Sequence, residues 1–152
     1  MGGGCEIVLG CDLAVAAASA SFALPEVKRG LFAAGGVFRL PRQIPRRIAM
    51  EMVLTGEPLS ADRALALGLV NRMVPDENLL DAALELAAVI GVNAPLAVQG
   101  SKRLMYQSFQ YGWLPEIWSL NDELIEQILG SADGREEARA FAEKRVPVWQ
   151  GR

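Results

Sequence analysis

The glutamates Glu6 and Glu26 are the residues of this chain whose type and setting best suit chemistry. Glu6 directly follows the glycine run Gly2-Gly3-Gly4, and Glu26 closes the turn formed by residues 23–26. A glycine run that opens a helix leaves backbone N–H groups accessible at the positive helix end. Two carboxyl groups near that end can move protons on an anion that binds there. The pattern therefore predicts an enzyme with carboxylate acid–base chemistry.

The composition narrows the chemistry further. The chain has no histidine, which excludes histidine-activated nucleophiles, histidine metal sites and imidazole bases. Its two cysteines, Cys5 and Cys11, have neither the spacing of a disulfide framework nor that of a zinc site. We predict that both are small buried apolar residues, and we expect no metal site.

Length and charge set the class of protein. A chain of 152 residues, 51% of them hydrophobic, is long enough to bury roughly 68–70% of its unfolded surface. The longest uncharged stretches, residues 13–25 and 86–101, fall short of the ~18–20 apolar residues of a membrane-spanning helix. We expect a cytoplasmic protein without a membrane segment. The net charge of −3 gives no reason to expect nucleic acid. The basic residues between positions 28 and 47 are better suited to a local anionic ligand.

Glycine and proline punctuation predicts the elements that position the glutamates. A helix is expected from Gly3 to about Gly10, followed by a series of short strands and helices. The strands are predicted at residues 12–17, 19–22 and 69–74. The helices are predicted from Pro45 to a stop at Gly56, from Ser60 to Gly68, and from a cap at Asp76 or Asn78 to Ile90.

The last third of the chain has the pattern of three amphipathic helices, at residues 95–111, 115–129 and 135–145. The stripe of the first comprises Val98, Lys102, Met105 and Phe109, and that of the second comprises Ile117, Trp118, Leu124, Ile125, Ile128 and Leu129. The last helix has Ala138, Phe141 and Ala142 as its apolar side. Such helices need a partner surface.

The chain resembles the carboxyl-terminal part of the enoyl-CoA hydratase/isomerase, or crotonase, family, essentially from end to end. The resemblance is carried by several motifs in register. These are Gly2-Gly3-Gly4-Cys5-Glu6 with Cys11-Asp12, Phe22-Ala23-Leu24-Pro25-Glu26 with Gly30 and Gly35-Gly36, Leu54-Thr55-Gly56, Ser60-Ala61 with Ala64, Gly68-Leu69-Val70 and Ala140-Phe141-Ala142-Glu143-Lys144-Arg145.

The resemblance implies an α/β fold, the carboxyl-terminal portion of the ClpP/crotonase spiral followed by a helical oligomerisation region. Residues 1–94 would be the last turns of the strand-strand-helix spiral, and residues 95–152 the region that assembles a homo-oligomer, a trimer or hexamer. The earlier turns would be absent, and with them the segment that donates the second oxyanion N–H. The loop at residues 30–36 is about one residue shorter than is usual in the family.

The resemblance also implies roles for individual residues. The N–H of Gly3 would hold the thioester oxygen of an acyl-CoA, Glu6 would activate a water for addition to the β carbon, and Glu26 would deliver a proton to the α carbon. Coenzyme A would be part of the substrate, with no separate cofactor. Phe141 and Lys144 would approach the CoA of a neighbouring subunit, although a solvated helix face explains Lys144 nearly as well. The other residues assigned to substrate binding are Gly2, Gly4, Pro25, Gly35 and Gly36.

Both glutamates together favour hydration of a trans-2-enoyl-CoA to a 3-hydroxyacyl-CoA. In the preferred interpretation the chain is a piece of a full-length hydratase, and the activity belongs to the whole enzyme. Two other interpretations are open. In the first, the chain is a truncated, non-catalytic assembly module. In the second, it is a crotonase-family isomerase or another CoA lyase. Without the family pattern, Glu6 is also explained as a favourable negative charge in a first helical turn, and Glu26 as a turn carboxylate.

Overall fold

The computed structural model describes residues 1–111 and 115–152, which form two units, Met1–Glu85 and Leu86–Arg152. The first unit contains five short helices or parts of helices and four strands. In chain order these are α1 (Gly3–Gly10), β1 (Val15–Ala17), β2 (Ser21–Phe22), α2 (Gly36–Gln43), α3 (Arg46–Thr55), β3 (Leu59–Ser60), α4 (Ala61–Ala66), β4 (Arg72–Val74) and the start of α5 (Leu79–Gly91). Two 3-10 turns, Pro25–Arg29 and Asp76–Asn78, complete it.

Two small sheets connect distant parts of the first unit. β1 pairs with β4 in parallel, with Val15 opposite Arg72, and β2 pairs with β3 in antiparallel register, with Phe22 opposite Leu59. Asn71 extends the parallel pairing, because its side-chain oxygen accepts from the N–H of Ala14 at 2.9 Å. Strands were predicted in the regions of β1, β2 and β4, and each of these is shorter than predicted, whereas β3 was not predicted.

The core of the first unit lies between α1, α2, α3 and the two sheets. Its most deeply buried apolar side chains are contributed by elements on every side. They include Cys5, Leu9, Leu24, Leu40, Met52 and Leu59. The prediction that both cysteines are buried is half wrong, since Cys5 is buried and Cys11 is exposed.

Helix ends follow the local chemistry only in part. Gly56 ends α3 in the left-handed conformation, as predicted, and Ser60 caps α4 by accepting from the N–H of Arg63. Of the two residues predicted as the cap of α5, Asn78 directly precedes the helix, and Asp76 does not act as its cap. The Asp76 carboxylate instead accepts from the N–H of Ser19 at 3.1 Å and from the Ser19 hydroxyl, and these bonds lower the pKa of Asp76.

The second unit is helical. It contains the end of α5, α6 (Pro95–Tyr111), α7 (Pro115–Gly130) and α8 (Ala132–Glu143). The bounds of α6 and α7 agree closely with the prediction, whereas the predicted apolar side of α8 is wrong. Ala138, Phe141 and Ala142 are exposed, and the residues of α8 that are buried are Asp133 and Ala140.

A tail after α8 packs back within the second unit. The Asp133 carboxylate accepts from the N–H groups of Gln150 and Gly151, at 2.6 and 2.9 Å. The Glu136 carboxylate accepts from the N–H of Val148 at 2.8 Å, and the indole N–H of Trp149 donates to the carbonyl of Val92 at 2.7 Å. These bonds fix the tail along α8.

Candidate active site

The start of α1 is built around Gly2, the N-cap residue. Gly2 has a φ of 57°, in the region that favours glycine, and its N–H donates to the carbonyl of Ala23 at 2.8 Å. This bond joins the helix start to the turn that carries Glu26. Gly3 is the exposed first residue of α1, and the first N–H groups of a helix have no acceptor within it. The position predicted to bind the thioester oxygen therefore lies at an open, positive helix end.

Glu6 lies in the first turn of α1 and is partly buried. Its Oε1 accepts two backbone hydrogen bonds, from the N–H of Gly35 at 2.7 Å and from that of Gly36 at 2.9 Å. Gly35 and Gly36 form the start of α2, so the carboxylate also faces the positive end of that helix. Glu6 is thereby fixed in one position with its other oxygen, Oε2, left for other partners.

Glu26 approaches the start of α1 from the other side. It lies in the first turn of the 3-10 segment Pro25–Arg29 and is partly buried. Its Oε1 is 3.2 Å from the point where a Cβ on Gly2 would stand. Its Oε2 is buried and has no hydrogen-bond partner among the described residues.

The negative charges of both carboxylates act on the pKa of the Cys5 thiol. Burial raises the pKa of Cys5, the chain's amino-terminal charge opposes that shift, and the negative charges of Glu26 and Glu6 add to it. Cys5 is itself buried in the core behind the helix start. Both glutamates are therefore brought to the first turns of α1, from positions twenty residues apart in the sequence.

Sequence reasoning missed the contact between Glu6 and the Gly35-Gly36 pair. The two motifs were each singled out, but nothing in a single sequence pairs residues 29 and 30 positions apart. It also missed Arg39 as a neighbour of this site. The Arg39 guanidinium is 2.7 Å from the point where a Cβ on Gly35 would stand, and Glu6 Oε1 is 3.2 Å from that point. The basic run at residues 28–47 was the available signal.

The other predicted site residues have different settings. Gly4 is exposed, with open space around it, and Pro25 packs against Gly56. Phe141 and Lys144 belong to the second unit, where the Phe141 side chain is 83% exposed. Lys144 is exposed at the end of α8, with a positive φ of 54°.

Residues 1–111 and 115–152 contain neither a metal cluster nor a single membrane-spanning helix. In that part of the chain, no group of three or more cysteine, aspartate or glutamate residues is placed to hold a metal ion. No single helix there is long and apolar enough to cross a membrane. One bent pair of segments, Asp76–Gly91 and Pro95–Gln110, passes that test on length and composition alone.

Comparison with known proteins places the chain in a family. The family model described as enoyl-CoA hydratase/isomerase matches residues 1–152. A carnitinyl-CoA dehydratase from Salmonella paratyphi A is 42% identical over 99% of this chain and 59% of its own length.

Solved structures agree with the sequence matches. An enoyl-CoA hydratase from Mycobacterium tuberculosis H37Rv is 46% identical, with a TM-score of 0.93, over 99% of this chain and 60% of that one. A probable enoyl-CoA hydratase/isomerase from Mycobacterium abscessus is 53% identical, with a TM-score of 0.91 and the same coverage.

The chain thus spans about three-fifths of the length of these relatives and contains part of the crotonase fold. The expectation that this share is the carboxyl-terminal part is not confirmed by the matches and stays a prediction. The family model, the identities and the shared fold together show that the chain belongs to the enoyl-CoA hydratase/isomerase family.

Proposed function

We propose that the chain carries the two-carboxylate site of an enoyl-CoA hydratase, which adds water to a trans-2-enoyl-CoA to give a 3-hydroxyacyl-CoA. The observation that carries the proposal is the pair Glu6 and Glu26 at one helix start, with Glu6 held by the Gly35 and Gly36 N–H groups. Fixing a carboxylate in this way positions a base for a defined water molecule.

The oxyanion step uses the open end of α1. The thioester oxygen would accept from the N–H of Gly3, and the negative charge that develops on it as the double bond is attacked would be stabilised by the helix end. Removal of one such donor typically costs roughly 2.7–4 kcal/mol of transition-state stabilisation.

Proton movements divide between the carboxylates. Glu6 takes a proton from water as the water oxygen bonds to the β carbon, and the π electrons move toward the thioester. Glu26 gives a proton to the α carbon, so the net change is the addition of one water. A proton then passes from Glu6 back to Glu26. The Glu26 oxygen without a protein partner leaves that group free to exchange a proton with the substrate.

Hydration of crotonyl-CoA by the 152-residue chain tests the proposal, followed as loss of the enoyl absorbance. We expect turnover that is strongly reduced in Glu6→Gln and Glu26→Gln and retained in Glu77→Gln, an exposed glutamate outside the site. A folded chain that leaves crotonyl-CoA unchanged would contradict the proposal. Equal turnover in all three variants would contradict the assigned roles.

A second candidate function is that of an assembly module. Large apolar side chains of α6 and α7 are exposed, among them Met105, Phe109 and Leu129, at 65%, 73% and 67%. Such surface favours association, here with copies of the chain in a trimer or hexamer. Light scattering of the purified chain tests the association, and an inactive oligomer would favour this function over hydration.

The isomerase alternative is separated by its product. Isomerisation moves the double bond and leaves the mass of the acyl-CoA unchanged, whereas hydration adds one water. The relatives include both hydratases and a dehydratase by name, and the family description includes isomerases. The presence of both glutamates supports hydration of an acyl-CoA that carries its own coenzyme A. We place this reaction in the cytoplasm.

A further inference from the structure

The turn at residues 23–26, which carries Glu26, is contacted at every position by a glycine. The Ala23 carbonyl accepts from the N–H of Gly2, and Glu26 Oε1 lies against the same glycine. Leu24 and Pro25, between them, lie against glycines from α2 and from the end of α3. Of these two glycines, Gly56 has no part in the proposed chemistry, and Gly36 takes part only through its N–H, which donates to Glu6.

Gly36 leaves the space that Leu24 fills. A Cβ on Gly36 would stand 2.6 Å from Leu24 Cδ1 and 2.9 Å from Leu24 Cδ2. Leu24 is 1% exposed, so its side chain has little room to move away. The same Cβ would meet Ala33 Cβ at 3.2 Å. Any side chain at position 36 therefore displaces the residue two positions before Glu26.

Gly56 leaves the space that Pro25 fills. A Cβ on Gly56 would stand 3.0 Å from Pro25 Cα, a backbone atom that moves only if the turn moves. Lys28 closes the same space, with its Cε at 3.1 Å, and its ammonium is held by Glu57 at 2.8 Å. Gly56 is thus a direct steric neighbour of the residue before Glu26.

We propose that Gly36, at the start of α2, and Gly56, at the end of α3, are positioning residues for Glu26. Together they fix the turn so that the Glu26 carboxyl reaches the start of α1. This inference rests on the proposed role of Glu26. It gives both glycines a steric role, which at Gly36 is separate from the N–H that holds Glu6. Their action is steric and is transmitted through Leu24 and Pro25.

Gly68 provides a matched control for Gly56. Both glycines have a positive φ, 66° at Gly56 and 77° at Gly68, so alanine strains both backbones similarly. A Cβ on Gly68, however, would meet nothing within 4 Å. The measurement is the carboxyl-carbon NMR resonance of Glu26, assigned by its loss in Glu26→Gln. We expect Gly56→Ala to shift this resonance and Gly68→Ala to leave it in place.

A second pair of variants tests Gly36 independently. Gly36→Ala should shift the Glu26 resonance, and the shift should be smaller when Leu24→Ala has removed both clashing methyl groups. Non-additivity of this kind identifies a direct steric coupling between neighbours. This pair decides the case if Gly56→Ala does not fold.

The proposal is overturned if Gly56→Ala and Gly68→Ala affect the resonance alike, or if Leu24→Ala leaves the effect of Gly36→Ala unchanged. Because the resonance is read without turnover, the test is separate from that of the proposed function. Shifted resonances in an inactive chain would uphold the positioning and reject the hydratase. An unshifted resonance in a chain whose activity needs Glu26 would reject the positioning and uphold the hydratase.

Discussion

At the scale of the residue, the two glutamates differ in their surroundings. Glu6 is held by two N–H groups at the start of α2, whereas Glu26 has one oxygen beside Gly2 and one without a partner among the described residues. A carboxylate fixed by donors is suited to hold and deprotonate a water, and a carboxyl less tightly held is suited to deliver a proton. We therefore assign the base to Glu6 and the acid to Glu26.

Replacing either glutamate with glutamine should reduce turnover more than substrate affinity. Glutamine retains the shape of the side chain but neither accepts nor donates the reacting proton, so we expect kcat to fall by roughly 10²–10⁴-fold with little change in KM. Steady-state kinetics on crotonyl-CoA measures both constants. A change confined to KM would indicate that the glutamate only binds substrate.

The Gly3 donor can be removed without removing the helix. Proline is tolerated at the first position of a helix and has no N–H, so Gly3→Pro deletes the predicted oxyanion donor. We expect kcat to fall by roughly 10²–10³-fold. Gly3→Ala keeps the N–H, and its Cβ meets nothing within 4 Å, so its loss should be much smaller. Equal losses in the two variants would argue against the donor.

At the scale of the element, the sequence predicts long helices better than short ones. α6 and α7 are bounded by proline or glycine, and their bounds were predicted closely. α2 was not predicted as a helix. It contains Pro41, which removes a helical hydrogen bond, and its eight residues depend on packing by the buried Leu40.

Which residues of an element are buried was predicted less well than where the element begins and ends. Periodicity placed Phe141 on the apolar side of α8 and gave no indication that Asp133 is buried. The reason is tertiary: the tail supplies two N–H groups to the Asp133 carboxylate, and a single sequence does not show that the chain returns to this helix. For the same reason the sequence singled out Glu6 as a candidate but did not show that the Gly35 and Gly36 N–H groups hold it.

Asp133 should contribute strongly to the stability of the second unit. It is 2% exposed and holds the Gln150 and Gly151 N–H groups. Asp133→Ala leaves both donors without this acceptor, and we expect a loss of about 1–3 kcal/mol in the free energy of unfolding. Glu137→Ala, on the exposed side of α8, is the control. Urea unfolding measures both, and equal losses would contradict the tail contact.

The tail contact through Glu136 should depend on pH. Hydrogen bonds from Arg145 and from the N–H of Val148, together with the positive charges of Arg145 and Arg139, lower the pKa of Glu136 to about 2 from its usual 4.5. Because the pKa is lowered in the folded state, the stabilisation is fully present above pH 4.5 and is lost as the pH falls through about 2.

Hydrogen exchange at the Val148 amide measures this contact. We expect protection of the amide in the unmodified chain above pH 4.5 and faster exchange in Glu136→Gln. Exchange that is unaffected by the substitution would show that Glu136 does not hold the tail.

At the scale of the whole molecule, the chain contains about three-fifths of the length of its relatives, and with it both glutamates and the Gly3 donor. The family and part of its fold were predictable from motifs in register, and the approximate course of most elements from glycine and proline punctuation and apolar periodicity. The sheets among the described residues have two strands each, because each of the four strands pairs with one other strand. The activity of the chain is therefore the central claim to test.

The most direct measurement is the product formed from crotonyl-CoA by the folded 152-residue chain in ¹⁸O-labelled water. We expect a 3-hydroxyacyl-CoA that carries the solvent oxygen at its β carbon, and its formation should be suppressed in Glu6→Gln and in Glu26→Gln. Recovery of unlabelled acyl-CoA alone, or a labelled product formed equally well by both variants, would contradict the proposed function.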